Sequence, residues 1–182
     1  IVYYFDYQDL ASANANPSEI EDARQKVIEV LDKMEQNLPQ ETIHITTNEH
    51  LFQIGHLYSR IGEMETFRNI LEDLVTRKNT STSDKLKYGQ AYIQELDDHN
   101  AALLIFKDLY DSYNNLENYI RTNGINKAGL TQSSWDRWQM LHAEIVSSLV
   151  MTYRQLNMWA PLANILEDWV KRNPNDTNAK HI

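Results

Sequence analysis

The chain has 182 residues, a hydrophobic fraction of 42% and a net charge of −9, values typical of a soluble globular protein with an acidic surface. This charge argues against nucleic acid as a partner, because no basic stripe offsets its repulsion of phosphate. The absence of cysteine excludes disulfides, thiolate catalysis and zinc–thiolate sites. No apolar run is long enough for a membrane span, and the few glycines and prolines favour helix over sheet.

The first segment, residues 1–15, combines aromatic residues with a run of small ones. Four aromatic side chains fall within its first seven positions: Tyr3, Tyr4, Phe5 and Tyr7. We expect an N-terminal arm that packs on the first helices and covers their apolar edge. The alternative is a docking segment for an upstream part, since the chain begins at Ile1 and is expected to be a fragment of a longer protein.

The first predicted helix covers residues 16–38. Asn16, Pro17 and Glu19 supply an N-cap, a proline at the first helical position and an acidic residue in the first turn. Pro39 follows the expected end. Six residues recur at helical spacing and predict one buried face: Ile20, Ala23, Val27, Val30, Leu31 and Met34.

A repeated helical hairpin follows. Gly55 and Tyr58 form a Gly-x-x-Tyr element that returns 34 residues later as Gly89 and Tyr92. The phrase NILEDLVTRKN at 69–79 returns 95 residues later as NILEDWVKRNP at 164–174. These patterns predict helix pairs over 48–79, 82–122 and 133–174, and leave 175–182 as a C-terminal tail.

The two offsets disagree, since 95 is not a multiple of 34, so residues are inserted between the second and third units. We expect them in one lengthened hairpin over about 100–156, with its first helix ending at Asn123 and Gly124 and its second opening at Ser133 or Ser134. The polar loop over 123–134 joins the two helices. The hypothesis is that this hairpin or its loop makes contacts specific to the family.

A 34-residue helix pair with this Gly-x-x-Tyr element resembles the tetratricopeptide repeat. The resemblance implies an all-α fold of antiparallel helical hairpins, stacked as a short right-handed solenoid. The match is imperfect, because Phe67 stands where that family prefers a small residue and Val150 replaces the glycine of the third unit.

In such a fold the first helix of each unit lines a concave surface. Six residues are therefore predicted as groove contacts for a protein or peptide partner: Phe52, His56, Arg60, Gln90, Ile93 and Gln94. The alternative is that they cover neighbouring parts of the same chain, the N-terminal arm included.

The sequence offers no catalytic, cofactor or metal site. His50 and His56 are six residues apart and face different sides of a helix, so they cannot chelate one metal ion. Asp97, Asp98 and His99 lie at a predicted turn, where acidic residues cap helices. Trp138 and Trp169 are predicted core residues, while Trp135 and Trp159 could be core residues or exposed anchors.

The segments VIEVLDKMEQNLPQETI (27–43) and HLYSRIGEMETFRNILEDL (56–74) are similar to the soluble C-terminal tail of a family of bacterial, mainly Bacteroidetes-type, polytopic membrane proteins. That family is related to protein O-mannosyltransferases. The resemblance implies that glycosyl transfer belongs to a membrane portion outside this chain, and that the tail is extracytoplasmic; without it, a cytoplasmic location is expected.

We therefore expect a non-catalytic protein–protein interaction or assembly module with no cofactor, attached to a membrane-embedded region. One alternative is an accessory domain that binds the acceptor of a membrane glycosyltransferase. A second alternative is a structural self-association domain.

Overall fold

The computed structural model describes residues 2–13, 15–38 and 45–173. Eight α-helices and one short 3₁₀ helix make up the regular structure of these ranges, which contain no strand. The all-α prediction is confirmed. The chain divides into two compact units, unit 1 over Ile1–Thr80 and unit 2 over Ser81–Ile182, and the stacking of all hairpins into one solenoid stays a prediction.

Unit 1 contains four helices: α1 (Val2–Ser12), α2 (Pro17–Gln36), α3 (Ile45–Arg60) and α4 (Met64–Thr76). Within the unit, α1 packs on α2, α2 on α3 and α3 on α4. Its core is formed mainly by α3 and α4, whose buried side chains include Leu51, Ile54, Tyr58, Phe67 and Leu71.

The start of α2 agrees with its sequence signals. The Asn16 side chain accepts a hydrogen bond from the Ser18 backbone N–H at 3.0 Å, and Pro17 is the first helical residue. The segment predicted as an arm is instead largely helical, as α1. It packs on α2 as expected, but only Tyr4 of its aromatic side chains is buried, while Tyr3 and Phe5 are exposed. Tyr3, Tyr4 and Phe5 are consecutive, so these aromatic residues do not mark one face of a helix.

Unit 2 contains α5 (Thr82–Gln94), α6 (His99–Asn123), a 3₁₀ turn (Ile125–Ala128), α7 (Gln132–Gln155) and α8 (Trp159–Arg172). The 25 residues of α6 and the 24 of α7 confirm the lengthened hairpin. Asp98 caps α6 by accepting from the Ala101 N–H at 3.0 Å. Gly124 ends α6 with a φ of 85°. The start of α7 is a small correction: Thr131, rather than a serine, is the N-cap, and it accepts from the Ser134 N–H.

Glycine allows close helix approach in both Gly-x-x-Tyr hairpins. A β-carbon at Gly55 would lie 2.8 Å from the Phe67 ring, and one at Gly89 would lie 2.4 Å from the Phe106 ring. The absence of a β-carbon at Gly55 thus lets α4 lie close to α3. Phe67 departs from the repeat pattern because the space left by the glycine is filled by a large side chain.

The 95-residue repeat is also a structural repeat. Helices α3 and α7 end 95 residues apart, at Arg60 and Gln155, and α4 and α8 begin 95 residues apart. Both turns contain a residue with positive φ, Gly62 and Asn157, followed by an N–H that donates back to the carbonyl of a buried tyrosine. This hydrogen bond ends each first helix in the same way. The α3–α4 and α7–α8 hairpins are thus two copies of one local structure.

The tryptophans differ in burial, and all four lie in unit 2. Trp135 is buried and stacks on Tyr113 with 5.7 Å between ring centroids. Trp138 and Trp169 are half-buried rather than fully in the core, and Trp159 is exposed. Pro39, Pro174 and the tail over 175–182 lie outside the described residues.

Candidate functional site

The six predicted groove contacts fall into two groups. Phe52, His56 and Arg60 are on α3 of unit 1, while Gln90, Ile93 and Gln94 are on α5 of unit 2. Neither unit contains all six residues. Each group is therefore described within its own unit.

The α3 group does not present a continuous surface. Phe52 is only 2% exposed, and its ring meets the His56 ring edge-on at 4.4 Å and lies 6.5 Å from the Phe67 ring. His56 is half-buried in this aromatic contact, and Arg60 is exposed. Phe52 is therefore a packing residue in unit 1.

In the α5 group, Gln90 and Ile93 are half-buried and Gln94 is exposed. The same turns of this helix carry the buried residues Gly89, Ala91 and Tyr92, which pack within unit 2. Gln90, Ile93 and Gln94 therefore remain candidates only for a partner contact made by unit 2 alone.

A different surface of unit 1 forms a concave site. Helices α2 and α3 enclose a groove of about 540 Å³. This volume is within the range of ligand-binding sites in proteins. We name it the α2–α3 groove. Its lining residues come from both helices: Val30, Lys33, Met34, Asn37, Leu38, His50, Gln53, Ile54 and Leu57.

The groove is apolar at its base and polar at its edges. Ile54 is buried and Leu57 is half-buried, while Lys33, His50 and Gln53 are exposed at the rim. Met34 is 46% exposed, although the sequence assigned it to the buried face of α2. In the sequence, α2 and α3 each carry apolar and polar residues about one turn apart. This pattern does not show which of the apolar side chains are left uncovered by neighbouring helices.

Polar contacts of two residues, Arg24 and Tyr58, join α2 to α3 and to the turn that follows it. Arg24, near the start of α2, donates to the carbonyl of Ile61 at 2.8 Å and forms an ion pair with Glu63. Further along, the Tyr58 hydroxyl donates to the Asp32 carboxylate at 2.5 Å. The start of α2 thus lies at the end of α3, so the helices are antiparallel.

The charges of unit 1 are unevenly distributed. Burial, together with the nearby carboxylates of Asp32 and Asp73, raises the pKa of Glu35. Burial and the hydrogen bond to Asp32 also raise the pKa of Tyr58. Asp32 and Glu35 are on α2 and Asp73 is on α4. The described residues that line the groove include no carboxylate, but Gln53 at its rim donates a hydrogen bond to the Glu49 carboxylate at 2.8 Å.

Unit 2 contains an aromatic–histidine cluster, made of Tyr110, Tyr113, Trp135, His142 and Trp169. The His142 ring stacks on Tyr113 with 3.7 Å between centroids and 7° between planes, and it lies 5.7 Å from Trp169. Its Nε2 atom is buried and has no hydrogen-bond partner among the described residues. Burial, and secondarily Arg172, lowers the pKa of His142 to about 4, so the ring is neutral at pH 7.

A charged network borders this cluster. Asp168 accepts a hydrogen bond from the Tyr110 hydroxyl and pairs with Arg172 at 2.9 Å, and Arg172 also pairs with Glu117. Burial alone would raise the pKa of Asp168, but the bonds from Tyr110 and Arg172 lower it below its usual value. Burial and the bond to Asp168 raise the pKa of Tyr110 to about 12.

The arrangement around His142 favours a packing role over a chemical one. A general base needs an accessible nitrogen, and the Nε2 atom of His142 is enclosed. Within the described ranges, no three His, Asp or Glu side chains are grouped so that they could hold a metal ion. The aromatic–histidine cluster, which sequence reasoning did not identify, is interpreted as the core that joins α6, α7 and α8.

Comparison with protein-family models, curated proteins and solved structures gave no match. The two resemblances noted in the sequence therefore stay predictions. Among the helices that the structure describes, none combines the length and the apolar character that a membrane crossing requires.

Proposed function

We propose that this chain is a protein–protein interaction module and that the α2–α3 groove of unit 1 is its binding surface. The observation that supports this proposal is an apolar groove with a polar rim, formed between two helices that contacts of Arg24 and Tyr58 join. Such a rim around an apolar base is typical of sites that bind side chains of another protein. Attachment of the chain to a membrane-embedded region is part of the same proposal and rests on the resemblance alone.

The proposed module acts by binding and not by catalysis. Its most perturbed histidine, His142, is enclosed by aromatic rings in unit 2 and lies in a different unit from the groove. The groove is lined by a lysine, a histidine and two side-chain amides next to apolar side chains. This combination suits the binding of another protein's surface.

The proposal is tested by photo-crosslinking in cells of the source organism. A photoreactive phenylalanine analogue replaces Gln53, which is exposed on the rim. We expect discrete crosslinked products that disappear when Met34→Glu places a carboxylate over the apolar base. Met64→Glu is the matched control, because Met64 is an exposed methionine of the same unit, on α4 and outside the lining.

Two results would contradict the proposal. One is the absence of any crosslinked protein from position 53. The other is a set of crosslinks that persists in Met34→Glu, or is lost equally in Met64→Glu, because neither pattern depends on the groove. Far-UV circular dichroism of both variants verifies that their helices are intact.

A further inference from the structure

Helix α8 is held on unit 2 by few buried apolar side chains. Of its residues only Ile165 is buried, whereas Leu162, Leu166 and Trp169 are half-buried. The four residues that match them 95 positions earlier in α4 are all buried: Phe67, Ile70, Leu71 and Leu74. Because burial of apolar surface is the main contribution to helix packing, it stabilises the docking of α8 less than that of α4.

Polar side chains join α8 to α6 beside this apolar contact. Asp168 accepts a hydrogen bond from the Tyr110 hydroxyl, and Arg172, one turn further along α8, pairs with Glu117. The side chains of the three charged residues are between 22% and 37% exposed. Ion pairs that water reaches contribute little to stability. These contacts therefore position α8 but add little to the free energy of its docking.

The buried histidine of α7, His142, is in contact with α8. Its ring is 5% exposed and meets rings of both neighbouring helices, Tyr113 of α6 and Trp169 of α8. The titratable and charged groups in or beside this cluster come from α6 and α8: Tyr110, Tyr113, Glu117, Asp168 and Arg172. The charges that act on His142 are those of Arg172 and Asp168, so both are on α8.

A proton on His142 is poorly accommodated while α8 is docked. The Nε2 atom is buried without a hydrogen-bond partner among the described residues, and the carboxylates of Asp168 and Glu117 are both bonded to Arg172. A buried cation without an acceptor is costly. Burial, and secondarily Arg172, accordingly lowers the pKa of His142 to about 4.

Moving α8 away changes this environment. It removes the Trp169 ring and the Arg172 charge and admits water to Nε2, while Asp168, the smaller and opposing influence, leaves with the same helix. The pKa of His142 therefore returns toward its ordinary value of 6.5. Above pH 6.5 neither form is protonated and docking is strongest. Between about pH 6.5 and 4, each unit of acidification favours release by about tenfold, because only the released form binds the proton.

The rest of unit 2 does not depend on α8 to the same degree. Helices α6 and α7 bury six and seven side chains, and they pack directly on each other. We propose that α8 is an acid-released latch: protonation of His142 detaches α8 and exposes the His142 ring, while the α6–α7 hairpin remains folded. This inference concerns unit 2 and is independent of the proposed function of the groove.

The test is hydrogen exchange of the backbone amides of the full chain at pH 7.5 and pH 5.5, resolved by residue with NMR. The protection factor, which is the ratio of the intrinsic to the observed exchange rate, removes the direct effect of pH on exchange and reports how often each helix opens. His142→Phe keeps a ring but cannot be protonated. His50→Gln removes an exposed histidine of unit 1 and is the matched control.

We expect the protection factors of α8 to be lower than those of α6 and α7 at both pH values, because α8 opens while they stay folded. Between pH 7.5 and pH 5.5 the protection of α8 should fall about tenfold in the parent and in His50→Gln, and stay constant in His142→Phe. NMR titration of the His142 ring in the parent should give a midpoint well below 6.5.

Equal protection of α6, α7 and α8 would overturn the inference, because α8 would then open only when the whole unit unfolds. Unchanged protection of α8 at the two pH values would overturn it as well, and so would a fall that persists in His142→Phe. If His142→Phe does not fold, the ring titration of the parent decides: a midpoint at 6.5 or above shows that protonation does not oppose docking.

Discussion

Phe106 on α6 lies directly over Gly89 on α5, so close that a β-carbon at residue 89 would be 2.4 Å from the ring. Phe106 has no exposed surface, so its ring has little room to move. We expect Gly89→Ala to destabilise unit 2 by about 1–2 kcal/mol, because overpacking outweighs the better helix propensity of alanine. Tryptophan fluorescence during urea unfolding measures this, since all four tryptophans lie in unit 2.

The matched test of this steric cause is Gly89→Ala combined with Phe106→Leu. The smaller side chain makes room for the new methyl group, so the double variant should lose less than the sum of the two single losses. Additive losses, or a Gly89→Ala protein as stable as the parent, would show that the ring does not restrict position 89.

Unit 2 should become less stable as the pH falls from about 7 to 4. The pKa of His142 is about 4 in the folded chain and near 6.5 when unfolded. Between these values the unfolded chain binds a proton that the folded chain does not, so acidification favours unfolding. A difference of this size is equivalent to about 3 kcal/mol, lost progressively down to pH 4 and not further below it.

This contribution is isolated by measuring the free energy of unfolding at several pH values for the parent and for His142→Phe. Phenylalanine keeps a ring in the stack but cannot be protonated, so the loss of stability between pH 7 and 4 should be smaller in this variant. His50→Gln removes an exposed histidine of unit 1 and serves as the control. An identical pH dependence in parent and His142→Phe would contradict the prediction.

The hydrogen bond from Tyr58 to Asp32 should stabilise the packing of α2 on α3. Tyr58 is 1% exposed, and its hydroxyl is 2.5 Å from the carboxylate. We expect Tyr58→Phe to cost about 1–2 kcal/mol, because the bond joins a buried hydroxyl to a charged acceptor. Unfolding followed by circular dichroism is the measurement, since unit 1 has no tryptophan. A double-mutant cycle with Asp32→Ala gives the coupling, and a coupling near zero would refute the prediction.

Asn157 should be replaceable by glycine with a gain in stability. Its φ of 56° is in the left-handed region, where glycine has no steric penalty and asparagine a small one. Glycine already occupies the equivalent position, Gly62, in the other copy of the hairpin. We expect Asn157→Gly to stabilise unit 2 by up to about 1 kcal/mol and Asn157→Val to destabilise it. A stabilising valine would be inconsistent with this backbone conformation.

The sequence predicted the helices well wherever the signal was local or repeated. The mismatch between the 34- and 95-residue offsets predicted the lengthened α6–α7 hairpin, and capping residues such as Asn16 and Asp98 marked helix starts. These signals depend on neighbouring residues only. The helix α1 escaped prediction because its aromatic residues do not follow a helical period.

The candidate site was predicted less well, because exposure depends on which elements pack together. Phe52 was expected to face a partner and is buried against Phe67, whereas Met34 was expected in the core and is half exposed. Both residues lie on amphipathic helices, and hydrophobicity alone does not distinguish a face covered by a neighbouring helix from one left open. The sequence likewise did not predict the stacked rings around His142, because their residues are distributed over three helices.

The unequal lengths of α5 and α6 give the protein a natural attachment point. The helix α6 is about 37 Å long and α5 is only about 20 Å long. The far end of the α6–α7 hairpin therefore extends beyond the end of α5. Lys127 and Gly129, in the connection at that end, are exposed. A short biotinylation tag inserted between Lys127 and Ala128 would immobilise the protein through unit 2. The residues that line the unit 1 groove would stay chemically unmodified.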